Sequence, residues 1–320
     1  YVYPQYPMEK IMDTMRPIYE KAVADAKAAD TPEKRRGVGI AWGGFNVTEG
    51  GGDSAEVALE LMPGNKIRKY DTWHAMGQGA TTGSLVVTLE ALKEMHLTPE
   101  DIQLIQNDTK TCPDTGMAGA SRSLYMDGNA TIIAANKLLA AMRKEDGTLR
   151  TYDEMKAEGI ETKYLGRYET NTTPGLCRLD PNTGIGDPTP AFTYCLNLAE
   201  VEVDTKTGKT TVLKFTCVDF VGRIGNIDAV NGQAYSGIMH GIGFALKEDY
   251  ADVKKHANMF GAGTSYIKDV PDDINLIHID GAISDGPFGS SGASEAFQAS
   301  GHCAVLNGIY NACLLYTSPS

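Results

Sequence analysis

Residues 194–221 constrain the fold more than any other stretch of the chain. Tyr194 to Asp204 alternates Ala199, Val201 and Val203 with Glu200, Glu202 and Asp204, and the turn Lys206-Thr-Gly-Lys209 leads into Thr210 to Val221. Successive side chains of a strand point to opposite faces, so this pattern predicts an antiparallel hairpin with one buried face. Gly37 to Val47, Glu56 to Met62, Lys66 to Trp73 and Ile102 to Gln106 read as further strands, the last of them short and buried. Pro63-Gly-Asn65 is a hairpin signal between the second and third. Met8 to Ala29, Ser84 to Met95, Ser121 to Arg143, Asn231 to Leu246 and Ala293 to Ala312 have helical spacing. Asp127-Gly-Asn129 complicates a start of the third helix at Ser121 and leaves open a start only at Asn129. Residues 144–190, polar and rich in Gly, Pro and Thr, read as a long connection with little regular structure. Strands and helices mix without a βαβ rhythm, which predicts an α+β fold of mixed sheets with packed helices.

The balance of charge narrows the partners. A formal charge of -12 argues against nucleic acid, whose binding needs a basic face to displace counterions. No apolar run has membrane-spanning length and no signal peptide is recognisable, so a soluble, cytoplasmic protein is expected. The six cysteines are scattered singly, without zinc-finger or iron–sulfur spacing, which fits a reducing compartment.

Three segments of small residues precede helices. In Trp73-His-Ala-Met-Gly-Gln-Gly79, Gly77 and Gly79 permit close backbone approach and Gln78 carries both a donor and an acceptor. Such a loop presents N–H groups at the positive end of a helix and suits a phosphate, although on spacing alone a plain strand-to-helix turn is the better explanation. In Asp114-Thr-Gly-Met-Ala-Gly-Ala-Ser-Arg-Ser123, small residues leave room for a bulky ligand and Ser121 and Ser123 can donate. Arg122 can pair with an anion there, or lie solvated on the surface. In Pro287-Phe-Gly-Ser-Ser-Gly-Ala-Ser-Glu295, a carboxylate starts a helix. Glu295 is either a helix-terminal charge or a general base held by a rigid loop. The six histidines show no metal-ligand spacing, and no GxSxG or Walker sequence occurs.

Taken in order with two more segments, these motifs become specific. The series runs Met76-Gly-Gln-Gly79, Ala118-Gly-Ala-Ser-Arg-Ser123 with Asp127-Gly128, Ala199-Glu-Val-Glu-Val-Asp204 with Thr207-Gly208, Asn231-Gly-Gln-Ala-Tyr-Ser-Gly237 with His240-Gly-Ile-Gly243, and Gly292-Ala-Ser-Glu295. Between Gly37 and Ala312 it resembles the molybdenum-binding region of the xanthine oxidase family, most of all its bacterial aldehyde oxidoreductases. The resemblance implies molybdopterin cytosine dinucleotide as cofactor, with molybdenum held through the pterin dithiolene and no direct protein ligand. Gln78 and Gln233 would contact the cofactor, Gly77 and Gly79 would shape the first loop, and Gly119, Ala120, Ser121 and Ser123 would hold the pterin pyrophosphate. Glu295 would be the base beside the metal, and the reaction would convert aldehydes to carboxylic acids with water as the oxygen source.

The resemblance also implies a larger parent. Its 2Fe-2S clusters would lie in regions ahead of this chain, electrons would pass to a ferredoxin or flavodoxin, and the full-length protein would be a homodimer. Residues 1–36 read as a helical lead-in from a truncated upstream region and 37–313 as the molybdopterin-binding domain, with subdomains 37–190 and 191–313 possible. Leu314 to Ser320 resembles a translated sequencing adapter, and the piece alone is expected to be inactive. Alternatives within the family are a purine hydroxylase and a carbon monoxide dehydrogenase large subunit. Outside it stand a cofactor-free, non-catalytic homologue and a nucleotide-binding α+β module, which leaves Gly292-Ala-Ser-Glu295 unexplained.

Overall fold

A computed structural model describes residues 6–48, 53–170, 180, 182–186, 189–283 and 285–314. The element order is α1 (Met8–Ala29), β1 (Lys34–Val47), β2 (Ser54–Met62), β3 (Lys66–Asp71), α2 (Ala80–Ala91), β4 (Ile102–Gln106), α3 (Ser123–Met142), α4 (Tyr152–Ala157), β5 (Lys163–Glu169), β6 (Ala191–Asp204), β7 (Thr210–Phe220), α5 (Ile227–Leu246), α6 (Met259–Ala262), β8 (Asp273–His278), α7 (Ser294–Gln298) and α8 (Gly301–Leu314). The strands form two mixed sheets, in the orders β1-β6-β7-β8 and β4-β3-β2-β5. The α+β expectation holds.

The expected hairpin is the spine of the first sheet. β6 pairs antiparallel with both β1 and β7, and β8 joins β7 in parallel. Ala199, Val201 and Val203 are buried as the alternation requires. From Cys195 to Ala199 every residue of β6 is buried, because α8 covers one face of the β1–β6 pair and α1 packs on the same strands. The glycines of β1 let α8 lie directly on the sheet: a Cβ at Gly39 would sit 2.0 Å from the Ala304 carbonyl oxygen.

In the second sheet, β2 pairs antiparallel with β3 and β5, and β4 runs parallel to β3. Ala134, Ala135, Leu138 and Met142 of α3 seal it together with Leu59, Leu61 and Ile67. Pro63-Gly-Asn65 turns the β2–β3 hairpin, with Gly64 and Asn65 at positive φ.

Several expectations are corrected. Residues 144–190 contain α4 and the sheet strand β5, although 171–179 of that stretch lie outside the described residues. α4 forms because Thr151 and Glu154 make a reciprocal capping box. α3 begins at Ser123 and runs through Asp127-Gly-Asn129 unbroken, since Asp127 finds a buried cationic partner described below. α2 starts at Ala80 rather than Ser84, and β4 is an edge strand with only Ile102 buried. α5 starts at Ile227, where Asn226 caps it by accepting from the Ala229 N–H at 3.1 Å. The helix expected over 293–312 breaks between Gln298 and Gly301 into α7 and α8. β8 had no counterpart in the sequence reading. Residues 315–320 of the adapter-like tail lie outside the described residues, while α8 continues through Leu314. Among the described residues no helix is long and apolar enough to cross a membrane.

Candidate active site

The small-residue loops meet around one cavity of about 970 Å³. Its first wall is the β3–α2 loop. Gln78 closes this loop on itself, accepting from the Met76 N–H at 2.6 Å and donating to the His74 carbonyl at 2.7 Å. Gly77 and Gly79 take positive φ, and Gly79 delivers the chain into α2. Thr72 and Thr115 exchange hydrogen bonds at 2.8 and 2.9 Å, which ties this wall to the next.

The second wall leads into α3. Ala120 and Ser121 both hold left-handed backbone, at φ 50° and 48°. Non-glycine residues adopt that region at a cost of order 1 kcal/mol or more, so the surrounding bonds must enforce it. The Thr48 N–H donates to the Ala120 carbonyl, and Arg122 anchors the next position. Arg122 is only 2% exposed and grips Asp53 through Nε and Nη2, both at 2.7 Å. It also donates to the carbonyls of Ser54, Thr115 and Met117. Arg122 is therefore neither a solvated surface residue nor an anion receptor; it is the internal brace of the loop.

The third wall carries Glu295. Gly292 touches the strained corner of the second wall so closely that a Cβ there would sit 1.6 Å from the Ser121 carbonyl oxygen. This contact brings the two loops into register. The half-buried Glu295 carboxylate accepts through Oε2 from the hydroxyls of Ser121 and Ser294, and the Glu295 N–H donates to Ser121 Oγ at 3.3 Å. Among the described residues Glu295 has no cationic partner and Oε1 has no hydrogen bond.

A fourth wall was missed. Between β7 and α5 runs Val221-Gly-Arg-Ile-Gly-Asn226, bridged to the third wall through Gly222 and Ser290. Arg223 lies exposed on the cavity lining, with Asn226, Ala229, Val230 and Gln233 of the α5 entry beside it. Strand, glycine loop and capped helix were all visible in these residues, and reading the helix as starting at Asn231 concealed them. His278 secures the base of α5, between Asp219 and Asn231 at 2.8 Å each. Burial pushes the Asp219 carboxyl up, while His278 pulls it back.

Of the expected residues, Gln78, Gly79, Gly119, Ser121, Ser123, Gln233 and Glu295 all line the cavity. Gly77 and Ala120 lie behind the lining and shape their loops. Lys69 and Asp71, which the sequence reading did not single out, form a second group with Asp127. All three are fully buried, with Lys69 Nζ 2.7 Å from Asp127 and 3.3 Å from Asp71. Ser84 and Gln106 donate to Asp71, each at 2.8 Å. Burial raises the Asp127 carboxyl to about 6 against the pull of Lys69. Lys69 and Asp71 lie two apart on β3, and Asp127 shares a helix face with Ala130, Thr131 and Ala134; those spacings were the available signal.

The cavity suits a ligand bearing phosphates. The N-termini of α2, α3 and α5 all open into it and contribute positive potential. Ser291 lines the same space with a buried hydroxyl that has no partner among the described residues, and a buried donor left unpaired signals a missing acceptor. No group of three or more His, Cys, Asp or Glu side chains among the described residues could hold a metal ion directly.

Comparison with known proteins agrees with this geometry. The family model of the molybdopterin cofactor-binding domain matches residues 14–271. An aldehyde oxidoreductase from Megalodesulfovibrio gigas is 38% identical over 307 residues, which are 96% of this chain and 34% of that protein. The crystal structure of the aldehyde oxidoreductase from Desulfovibrio desulfuricans superposes with a TM-score of 0.91 at 42% identity, over 96% of this chain and 33% of that one. A Cu,Mo-CO dehydrogenase structure shares the fold, with a TM-score of 0.73 at 17% identity over 98% of this chain and 43% of that one. The chain thus spans about a third of the length of these aldehyde oxidoreductases, and it belongs to the molybdopterin cofactor-binding domain family of the xanthine oxidase-type molybdenum hydroxylases.

Proposed function

We propose that the chain is part of the catalytic region of a molybdenum aldehyde oxidoreductase, which converts aldehydes to carboxylic acids with water as the source of oxygen. The observation that carries this reading is Glu295, a carboxylate without a cationic partner among the described residues, at the wall of a cavity into which three helix N-termini open. Likeness to two aldehyde oxidoreductases supports the aldehyde over a purine.

The cofactor is proposed to be molybdopterin cytosine dinucleotide, which when bound supplies the two-electron oxidation. Gly119 and Ser123 at the α3 entry, with Arg223 and Ser291, are proposed to hold its phosphates, while the Ser121 hydroxyl is committed to Glu295. Gln78 and Gln233, which line the same cavity, are proposed to contact its pterin. Two hydroxyls fix Glu295 Oε2, which leaves Oε1 to accept a proton from the water whose oxygen enters the product. Val86, Val87, Ile224 and Ile283 supply the apolar part of the cavity lining.

Electrons leave, in this reading, through 2Fe-2S clusters outside this chain to a ferredoxin or flavodoxin, in a cytoplasmic homodimer. The test is metal and nucleotide analysis of the full-length protein together with benzaldehyde and acetaldehyde turnover. Stoichiometric molybdenum and cytidine nucleotide with formation of carboxylic acid are expected. Absence of molybdenum, or oxidation of purines without aldehydes, overturns the proposal.

A further inference from the structure

Glu295 sits in a helix of only five residues, α7, too short to hold its own direction. Something outside the helix must aim it. Directly beneath lies a buried polar cluster on the inner face of β6. Cys195 Sγ donates to the carbonyl of Ala296, the residue after Glu295, at 3.0 Å. Asn197 donates from Nδ2 to Cys195 Sγ at 3.6 Å and to Ser300 Oγ at 3.0 Å. Ser300 stands at the break between α7 and α8 and donates in turn to the Ala41 carbonyl at 3.4 Å. Cys195 and Asn197 are fully buried and Ser300 is nearly so.

We propose that Cys195, Asn197 and Ser300 are positioning residues that seat α7 on the sheet and so aim Glu295 into the cavity. The surrounding backbone makes room for the cluster. In β1, Gly43 lies opposite Cys195, where a Cβ would approach both Cys195 Sγ and Ser300 Oγ to 2.7 Å. On the other side Gly237 of α5 packs against the Phe297 backbone, so α7 is held between sheet and helix at distances no added side chain tolerates. The Cys195 bond is the one that reaches the residue next to the carboxylate.

This inference rests on Glu295 being the base, and its test separates the two. In the full-length molybdenum-loaded protein, Cys195→Ala removes the donor and Cys195→Ser keeps one. Cys195→Ala is expected to lower kcat about tenfold with KM and bound molybdenum unchanged, as a small misplacement of a catalytic group does. Hydrogen exchange at the amides of residues 294–298 is expected to accelerate in the same variant, and Cys195→Ser is expected to restore both readouts toward wild type. Wild-type kcat and exchange in Cys195→Ala overturn the proposal, as does an equal loss in both variants accompanied by loss of molybdenum. Glu295→Gln measured in parallel locates the failure: full turnover there defeats the base itself, whereas lost turnover with a silent Cys195→Ala defeats only the positioning.

Discussion

Asp127 and Glu295 both follow a loop of glycine, alanine and serine, both lie near the start of a helix, and the cavity separates their fates. Asp127 is fully buried, 2.7 Å from Lys69. Glu295 faces the cavity and, among the described residues, its carboxylate has serine hydroxyls alone for partners. A buried carboxylate with a matched cation is committed to structure, because removing either partner strands a charge in a medium that solvates it poorly. A carboxylate supported only by neutral donors, with one oxygen open, remains available to accept a proton. The partner decides the role, and the preceding loop does not.

That contrast can be broken most severely at Lys69. Lys69→Met leaves Asp71 and Asp127 buried without their cation and is expected to cost about 3–5 kcal/mol, measured by chemical denaturation of the full-length protein. An equally large loss of stability on neutralising Glu295 would erase the distinction. Asp127→Asn sharpens it through pH. The Asp127 carboxyl is raised to about 6 in the fold, so the folded state holds this proton more tightly than the unfolded chain does. Its contribution to stability is complete below pH ~4 and is lost as pH rises through 6, a change of about 3 kcal/mol. Denaturation midpoints of Asp127→Asn are expected to flatten between pH 4 and 6 relative to wild type, and an unaltered slope would refute the assignment. The smallest effect is expected at Gly292→Ala, whose methyl group would collide with the Ser121 carbonyl. Pushing the two loops apart costs about 1–3 kcal/mol, and turnover is expected to fall more than stability because the displaced wall carries Glu295.

The sheets were legible because their pattern is local. Alternation along 199–204 and Pro63-Gly-Asn65 fixed two hairpins that the structure reproduces. Both are written in adjacent residues. Buried polar partners are not. Asp127-Gly-Asn129 reads as a helix break until Lys69, far away in sequence, is seen beside it. Arg122 reads as a surface charge until Asp53 is in place. The β7–α5 loop stayed hidden because the capping role of Asn226 depends on where the helix begins, and boundaries are weakly encoded. The cavity itself was legible only as a set of loops. Their convergence depends on contacts such as Gly292 against Ser121, between residues that no local pattern relates.

Replacing Glu295 with Gln in the full-length protein, and measuring aldehyde turnover per bound molybdenum, tests the central claim most directly. The substitution keeps the size of the side chain and its contacts with Ser121 and Ser294 while removing the basic oxygen. Molybdenum content and stability are predicted to stay at wild-type levels while turnover falls ~10²–10⁴-fold. Turnover near wild type with molybdenum bound would contradict the account and leave Glu295 as a charge at the start of a short helix.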